Sequence, residues 1–204
     1  MTFYVEAEIV QYSVCLAKKQ FEIKTKIIDL GEGYIKTQVR GELMEINICF
    51  SSDDNYAQHL GVAIASILKN SSAKDKYNFF IMDGKIGAGN KRKIAKLKNI
   101  RDFNITYTEM DESHFVDCPI TGYVDYITLP TYYRFKIPSL FSDVDKILYM
   151  DCDMIVREDI ASLFNTDITD YHVAAVPEVF NHHHRTRLEF EEGGGSTTLM
   201  PGCC

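Results

Sequence analysis

The chain is 204 residues long, 46% hydrophobic and 25% charged, with a formal net charge of −7. That composition is ordinary for a soluble globular domain and leaves enough chain for one buried core. The acidic balance argues against a nucleic-acid partner. No apolar run is long enough to span a bilayer, and no basic-then-apolar signal peptide opens the chain. The six cysteines (Cys15, Cys49, Cys118, Cys152, Cys203, Cys204) form no Cys-x-x-Cys pair and no metal spacing, which fits a reduced, cytoplasmic chain.

Residues 1–43 show strand-like alternation at 21–27 but lead into no motif. Arg40-Gly41-Glu42 back-translates to a purine run at ribosome-binding distance from Met44. Residues 1–43 are therefore expected to be translated leader; the alternative is a genuine N-terminal extension. Residues 45–50 read as the first strand, followed by the polar turn Ser51-Ser-Asp-Asp-Asn-Tyr56, which can cap a helix. Tyr56, Leu60, Ala63, Ile64, Ile67 and Leu68 recur at helical spacing, giving an amphipathic helix that ends near Asn70. A second strand is expected at 77–82, a basic helix with a solvated face at 90–97, and a third strand at 103–107. A loop through Pro119 and Gly122 leads to a helix over 131–137, ended by Pro138.

The last strand carries the chemistry: Lys146-Ile-Leu-Tyr-Met-Asp-Cys-Asp-Met-Ile-Val156. Residues 147–150 are a short apolar run of buried-strand type. In extended chain, residues i and i+2 lie on one side, about 7 Å apart. Asp151 and Asp153 then face one cleft while the Cys152 side chain points the other way. Two hard oxygen ligands at the carboxyl end of an α/β strand suit Mg²⁺ or Mn²⁺ together with a diphosphate. The plain alternative is two aspartates ending a strand in solvent. The β-α-β-α-β-α-β alternation predicts a mainly parallel sheet flanked by helices, with right-handed crossovers. Asp53, Asn55, Asp151 and Asp153 all then fall at carboxyl ends of strands, where such sheets bind ligands.

Three ordered motifs carry a resemblance: residues 46–57, Leu129-Pro-Thr-Tyr-Tyr-Arg-Phe-Lys136, and residues 146–157. Together they resemble glycosyltransferase family 8, which includes lipopolysaccharide galactosyl- and glucosyltransferases and the glycogenins. The likeness covers about residues 44–180. It implies the GT-A fold, a Rossmann-like nucleotide-sugar domain, and retaining transfer of a hexose, galactose or glucose, from a UDP-sugar donor with Mn²⁺ (or Mg²⁺). The acceptor would be a glycan or glycolipid such as lipopolysaccharide or another cell-surface saccharide. By the same resemblance, Asp53, Asn55 and Tyr56 contact the uridine, and Arg134 touches the donor sugar and diphosphate. Cys152 lines the ribose by its backbone, Asp151 and Asp153 bind the metal, and Glu178 stands where relatives commonly place a sugar-contacting Asp.

Each residue also has a plainer reading. Arg134 could be a surface ion pair, Asp53 an N-cap and Tyr56 part of the core. His182-His183-His184 cannot all face one ion and read as a polar loop. Relatives continue with a strand and a C-terminal His that completes the metal site. Residues 191–204, rich in Gly and ending in Cys203-Cys204, are expected to be an out-of-frame tail. The nucleotide-sugar domain is then 44–190, incomplete at its C-terminus, and the missing part would be the source of any peripheral contact with the inner face of a membrane. Two other readings stay open: a remnant that binds UDP without transfer, and a haloacid-dehalogenase-like phosphatase. The phosphatase is weakened because Asp-x-Asp comes late and Ile155 fills a position usually Thr or Val.

Overall fold

The computed structural model describes residues 15–18, 25–27, 43–118 and 128–175. Glu178, His182 to His184 and the tail at 191–204 lie outside those residues, as does most of the stretch 1–43.

Near-continuous apolar strands buried on both faces are what a parallel sheet requires. β1 (Cys15–Lys18) and β2 (Thr25–Ile27) come from the N-terminal stretch, and β3 (Glu45–Asp53) is the first of the expected strands. β4 (Lys76–Gly84), β5 (Asn104–Glu109), β6 (Lys146–Met150) and β7 (Val173–Ala175) complete a seven-stranded sheet ordered β2-β7-β1-β6-β3-β4-β5. Its centre is the four-strand parallel block β6-β3-β4-β5, as the alternation predicts. The β3–β4 register runs unbroken from Glu45 opposite Lys76 to Asp53 opposite Gly84, and β6 joins β3 from Ile48–Leu148 to Phe50–Met150. β1 lies antiparallel between β6 and β7, so two segments of the first 43 residues are strands of this sheet.

Helix α1 (Ala57–Asn70) buries Leu60, Ala63, Ile64, Ile67 and Leu68, the face its periodicity predicts. They pack with Ile46, Ile48 and Phe50 of β3. Burial of each of these large side chains contributes about 2 kcal/mol. A second cluster gathers Cys49, Tyr149 and Ile147 from the sheet with Tyr132, Tyr133 and Ile137. Neighbouring residues of β3 thus serve different clusters, and the pleat sends odd and even positions to opposite faces.

Three local expectations change. Tyr56 does not belong to the buried face: α1 begins one residue later, and Tyr56 is exposed beside the His59 ring. The basic helix is α2 (Ala88–Ala95), followed by a 3₁₀ turn at Lys96–Asn99. The helix expected over 131–137 is instead α3 (Leu129–Tyr133), a 3₁₀ turn at Arg134–Lys136 and α4 (Ile137–Leu140). Pro138 opens α4 rather than stopping a helix, because a first-turn residue has no intrahelical N–H bond to lose. A last short helix, α5 (Ala161–Phe164), packs on the α1 side.

Candidate functional site

The site assembles at the carboxyl ends of β3, β4 and β6. β3 ends at Asp53, in register with Gly84 of β4, and β6 ends at Met150, directly before Asp151. Asp53 accepts the Tyr56 N–H at 2.9 Å, closing the turn that exposes Asn55 and Tyr56. It therefore fastens the helix entrance, though α1 has no side-chain bond to its N-cap residue. Asp54, which sequence reasoning passed over, ties the same turn to the start of α2. Its Oδ1 accepts the Gly87 N–H at 2.7 Å and the Asn90 amide at 2.8 Å. These two bonds, the Gly87 one first, hold its carboxyl below the usual carboxylate range. A Cβ at Gly87 would stand 3.1 Å from that oxygen, so the close approach favours glycine.

Asp151, Cys152 and Asp153 lie in a turn after β6, not in extended chain as the sequence reading assumed. The alternation nevertheless carries two residues past the strand. Cys152 is buried in the α1-side cluster with Phe50 and Met150, while Asp151 is half-buried on the Tyr149 side and Asp153 is exposed. Burial first, then the neighbouring carboxylates of Asp153 and Asp151, push the Cys152 thiol up to about 12; the Ser52 hydroxyl hydrogen-bonds to it and opposes the rise. Ser52 is itself buried at the end of β3, where its hydroxyl donates to the Asp53 carbonyl at 3.1 Å.

Arg134 meets Asp151 here. Its Nη2 donates to Asp151 Oδ1 at 3.1 Å, its Nε to the Thr131 carbonyl at 2.8 Å, and its guanidinium lies 4.8 Å from the centre of the Tyr149 ring. The Tyr149 hydroxyl donates to the same Asp151 oxygen at 3.2 Å. The side chains of Arg134 and Asp151 are only 13% and 22% exposed, so this is not a surface ion pair. α3 can present Arg134 because Ser51 Oγ, buried in β3, donates to the Pro130 carbonyl and anchors its first turn.

The loop beyond Asp153 is pinned to α1. Val156 N–H donates to Ser66 Oγ at 2.9 Å, and its carbonyl accepts from Asn70 Nδ2 at 2.7 Å. Asp159 accepts the Ser72 N–H and the Ala161 N–H, both at 3.0 Å. Sequence reasoning missed the ties of Ser66, Asn70 and Ser72 because those partners are 86 to 90 residues distant in the chain. Lys91 likewise is not a purely solvated lysine. It pairs with Asp83, buried at the end of β4, and lies 4.9 Å from the centre of the Tyr107 ring.

Two carboxylates at the end of β6 are hard oxygen donors. Among the described residues no third His, Cys, Asp or Glu joins them in a group that could hold a metal. Such a pair fits Mg²⁺ or Mn²⁺, which bind through one or two carboxylates and take remaining ligands from phosphate oxygens and water. It does not fit a closed structural site of four protein ligands.

Comparison with known proteins shows the family and the fold. The model of glycosyl transferase family 8 matches residues 47–197. General stress protein A of Bacillus subtilis is 32% identical over 157 residues, 76% of this chain and 53% of that protein. The lipopolysaccharide 1,3-galactosyltransferase of Salmonella typhimurium is 27% identical over 162 residues, 79% of this chain and 46% of that enzyme. Among solved structures, the galactosyltransferase LgtC in complex with donor and acceptor sugar analogues superposes with a TM-score of 0.54 at 31% identity, over 61% of this chain and 44% of LgtC. The chain thus spans about half the length of these relatives. With a match that runs through both strand-end motifs and the sheet between them, the chain belongs to glycosyl transferase family 8.

Proposed function

We propose that the protein transfers a hexose, galactose or glucose, from a UDP-sugar to a saccharide acceptor such as lipopolysaccharide or another cell-surface glycan, with retention of anomeric configuration. The observation that carries this reading is the Arg134–Asp151 pair at the carboxyl end of β6, beside the β3 turn of Asp53, Asn55 and Tyr56.

Asp53 and Asn55 offer acceptor and amide groups to a uracil ring, and the exposed Tyr56 ring offers it a stacking surface. The backbone at Cys152 lines the ribose, its thiol being turned into the core. Arg134, a fixed cation with a planar donor fork, holds the diphosphate and the donor sugar. Asp151 and Asp153 would hold a divalent ion. Bound there, it supplies Lewis-acid stabilisation of the charge that gathers on the departing diphosphate. Glu178 is the carboxylate we assign to the sugar. In the transfer itself the bond from the anomeric carbon to the diphosphate oxygen breaks and a bond to an acceptor hydroxyl oxygen forms on the same face, the hydroxyl proton leaving with the UDP. The reaction takes place on the cytoplasmic side, where a glycolipid acceptor would bring the chain to the inner face of the membrane.

The test is incubation of the purified chain with UDP-galactose or UDP-glucose, Mn²⁺ and a lipopolysaccharide-core oligosaccharide, followed by NMR of the product. An α-linked product from the α-configured donor is expected, and a β-linked product contradicts retention. UDP binding without any product would favour a nucleotide-binding role. The dehalogenase-like phosphatase reading loses its ground with the family match.

A further inference from the structure

The cation that sits on Asp151 in this structure is the protein's own. Arg134 Nη2 and the Tyr149 hydroxyl both donate to Oδ1 of Asp151, at 3.1 and 3.2 Å. The Tyr149 ring below the guanidinium and the Thr131 carbonyl on Nε fix Arg134 in that position. With both side chains mostly covered, the fixed positive charge is poorly screened. A bare divalent ion approaching Asp151 meets a guanidinium already there, and like charges at such range repel strongly. A diphosphate reverses the sign. Its oxygens attract the guanidinium and the ion alike, and the planar donor fork of arginine suits phosphate oxygens as well as it suits a carboxylate.

We propose that Arg134 is a placeholder cation: it occupies Asp151 until a metal-bound nucleoside diphosphate arrives, and so makes the site select the metal–diphosphate complex over the free ion. This rests on the UDP-sugar reading above and adds an order of events. Arg134 moves from carboxylate to phosphate as the donor enters, and Asp151 becomes free for the ion only then. The lone pair of aspartates would otherwise take up divalent ions from solution and lose its preference for the loaded nucleotide.

The experiment measures Mn²⁺ alone, UDP alone and UDP with Mn²⁺ by calorimetry on the full chain, as wild type, Arg134→Met and Arg134→Lys. Arg134→Met should bind Mn²⁺ alone about tenfold more tightly than wild type. The same variant should lose about tenfold in affinity for UDP alone. Arg134→Lys, which keeps the charge, should leave the affinity for Mn²⁺ alone near wild type. An Arg134→Met chain whose affinity for Mn²⁺ alone is unchanged or weaker overturns the placeholder role, and the UDP reading stands if its UDP affinity falls. Failure of wild type to bind UDP under any condition would instead remove the reading beneath it. A second measurement needs no variant: in wild-type crystals soaked with UDP and no metal, the Arg134 guanidinium should be on a phosphate oxygen and off Asp151. A guanidinium still on Asp151 in those crystals also overturns the proposal.

Discussion

At the scale of single residues, the Asp151-Cys152-Asp153 turn divides its labour by direction. Cys152 is buried in the α1-side core, whereas Asp151 is half-buried against Arg134 and Tyr149 and Asp153 is exposed. Asp153→Asn should therefore lower Mn²⁺-dependent UDP affinity by at least about tenfold, since a neutral amide replaces a charged ligand. Cys152→Ser should leave that affinity within about twofold and instead cost about 1 kcal/mol of stability, as a hydroxyl replaces a buried thiol. Titration of UDP in the presence of Mn²⁺ and urea unfolding measure the two effects separately. Equal loss of metal-dependent binding in the serine variant would show the side chains to be directed otherwise. Buried Cys152 between less buried Asp151 and Asp153 agrees with strand alternation, although the extended chain ends at Met150, three residues before Asp153. The Arg134–Asp151 pair was not readable in that way. The two residues are 17 apart, in different elements, and only the packing of α3 on β3 brings them together.

At the level of elements, the loop after Asp153 is held by polar ties between segments far apart in the chain. Ser66 and Asn70 on α1 take both polar groups of the Val156 peptide backbone, 90 and 86 residues away. Asn70→Ala should cost about 1 kcal/mol, because the Val156 carbonyl loses its donor in a partly buried place. The same change should weaken UDP binding in Mn²⁺ while leaving the far-ultraviolet circular dichroism spectrum unaltered, as the loop loosens and the helix persists. Unchanged UDP affinity alongside that stability loss would confine Asn70 to stability. Periodicity predicts α1 and the strands well because a buried face repeats. It cannot report which serine or asparagine on the outer edge of a helix finds a backbone partner. The 3₁₀ turn at Arg134–Lys136 escaped for a related reason: two prolines, Pro130 and Pro138, each start a short helix, and the sequence alone reads the second as a stop.

For the molecule as a whole, the parallel block β6-β3-β4-β5 followed from the order of apolar runs and turns. The placement of β1 and β2 did not, because residues 1–43 carry no pattern that joins them to a sheet. Several buried acids share one behaviour in this fold. Burial is the leading cause that pushes the Cys152 thiol and the Tyr107 and Tyr133 hydroxyls up to about 12. For groups raised in this way, the unfolded chain gives up its protons first as the pH climbs. The folded state therefore holds its full stability below about pH 9, the ordinary range of a thiol, and loses it progressively toward about pH 12. Urea midpoints across pH 7 to about 11 should be flat at first and then fall steadily. A midpoint that stays level to the top of that range would mean these groups ionise as readily folded as unfolded.

In the proposed function, Arg134 would hold a UDP diphosphate at the carboxyl end of this sheet and Asp151 and Asp153 would hold a divalent ion. The most direct test of this reading is calorimetry of UDP binding to the 204-residue chain with Mn²⁺ present and after complete chelation. Binding should be tighter by at least about tenfold with Mn²⁺, an increment that Asp153→Asn largely removes. Equal affinity in the two conditions, or none in either, would contradict it.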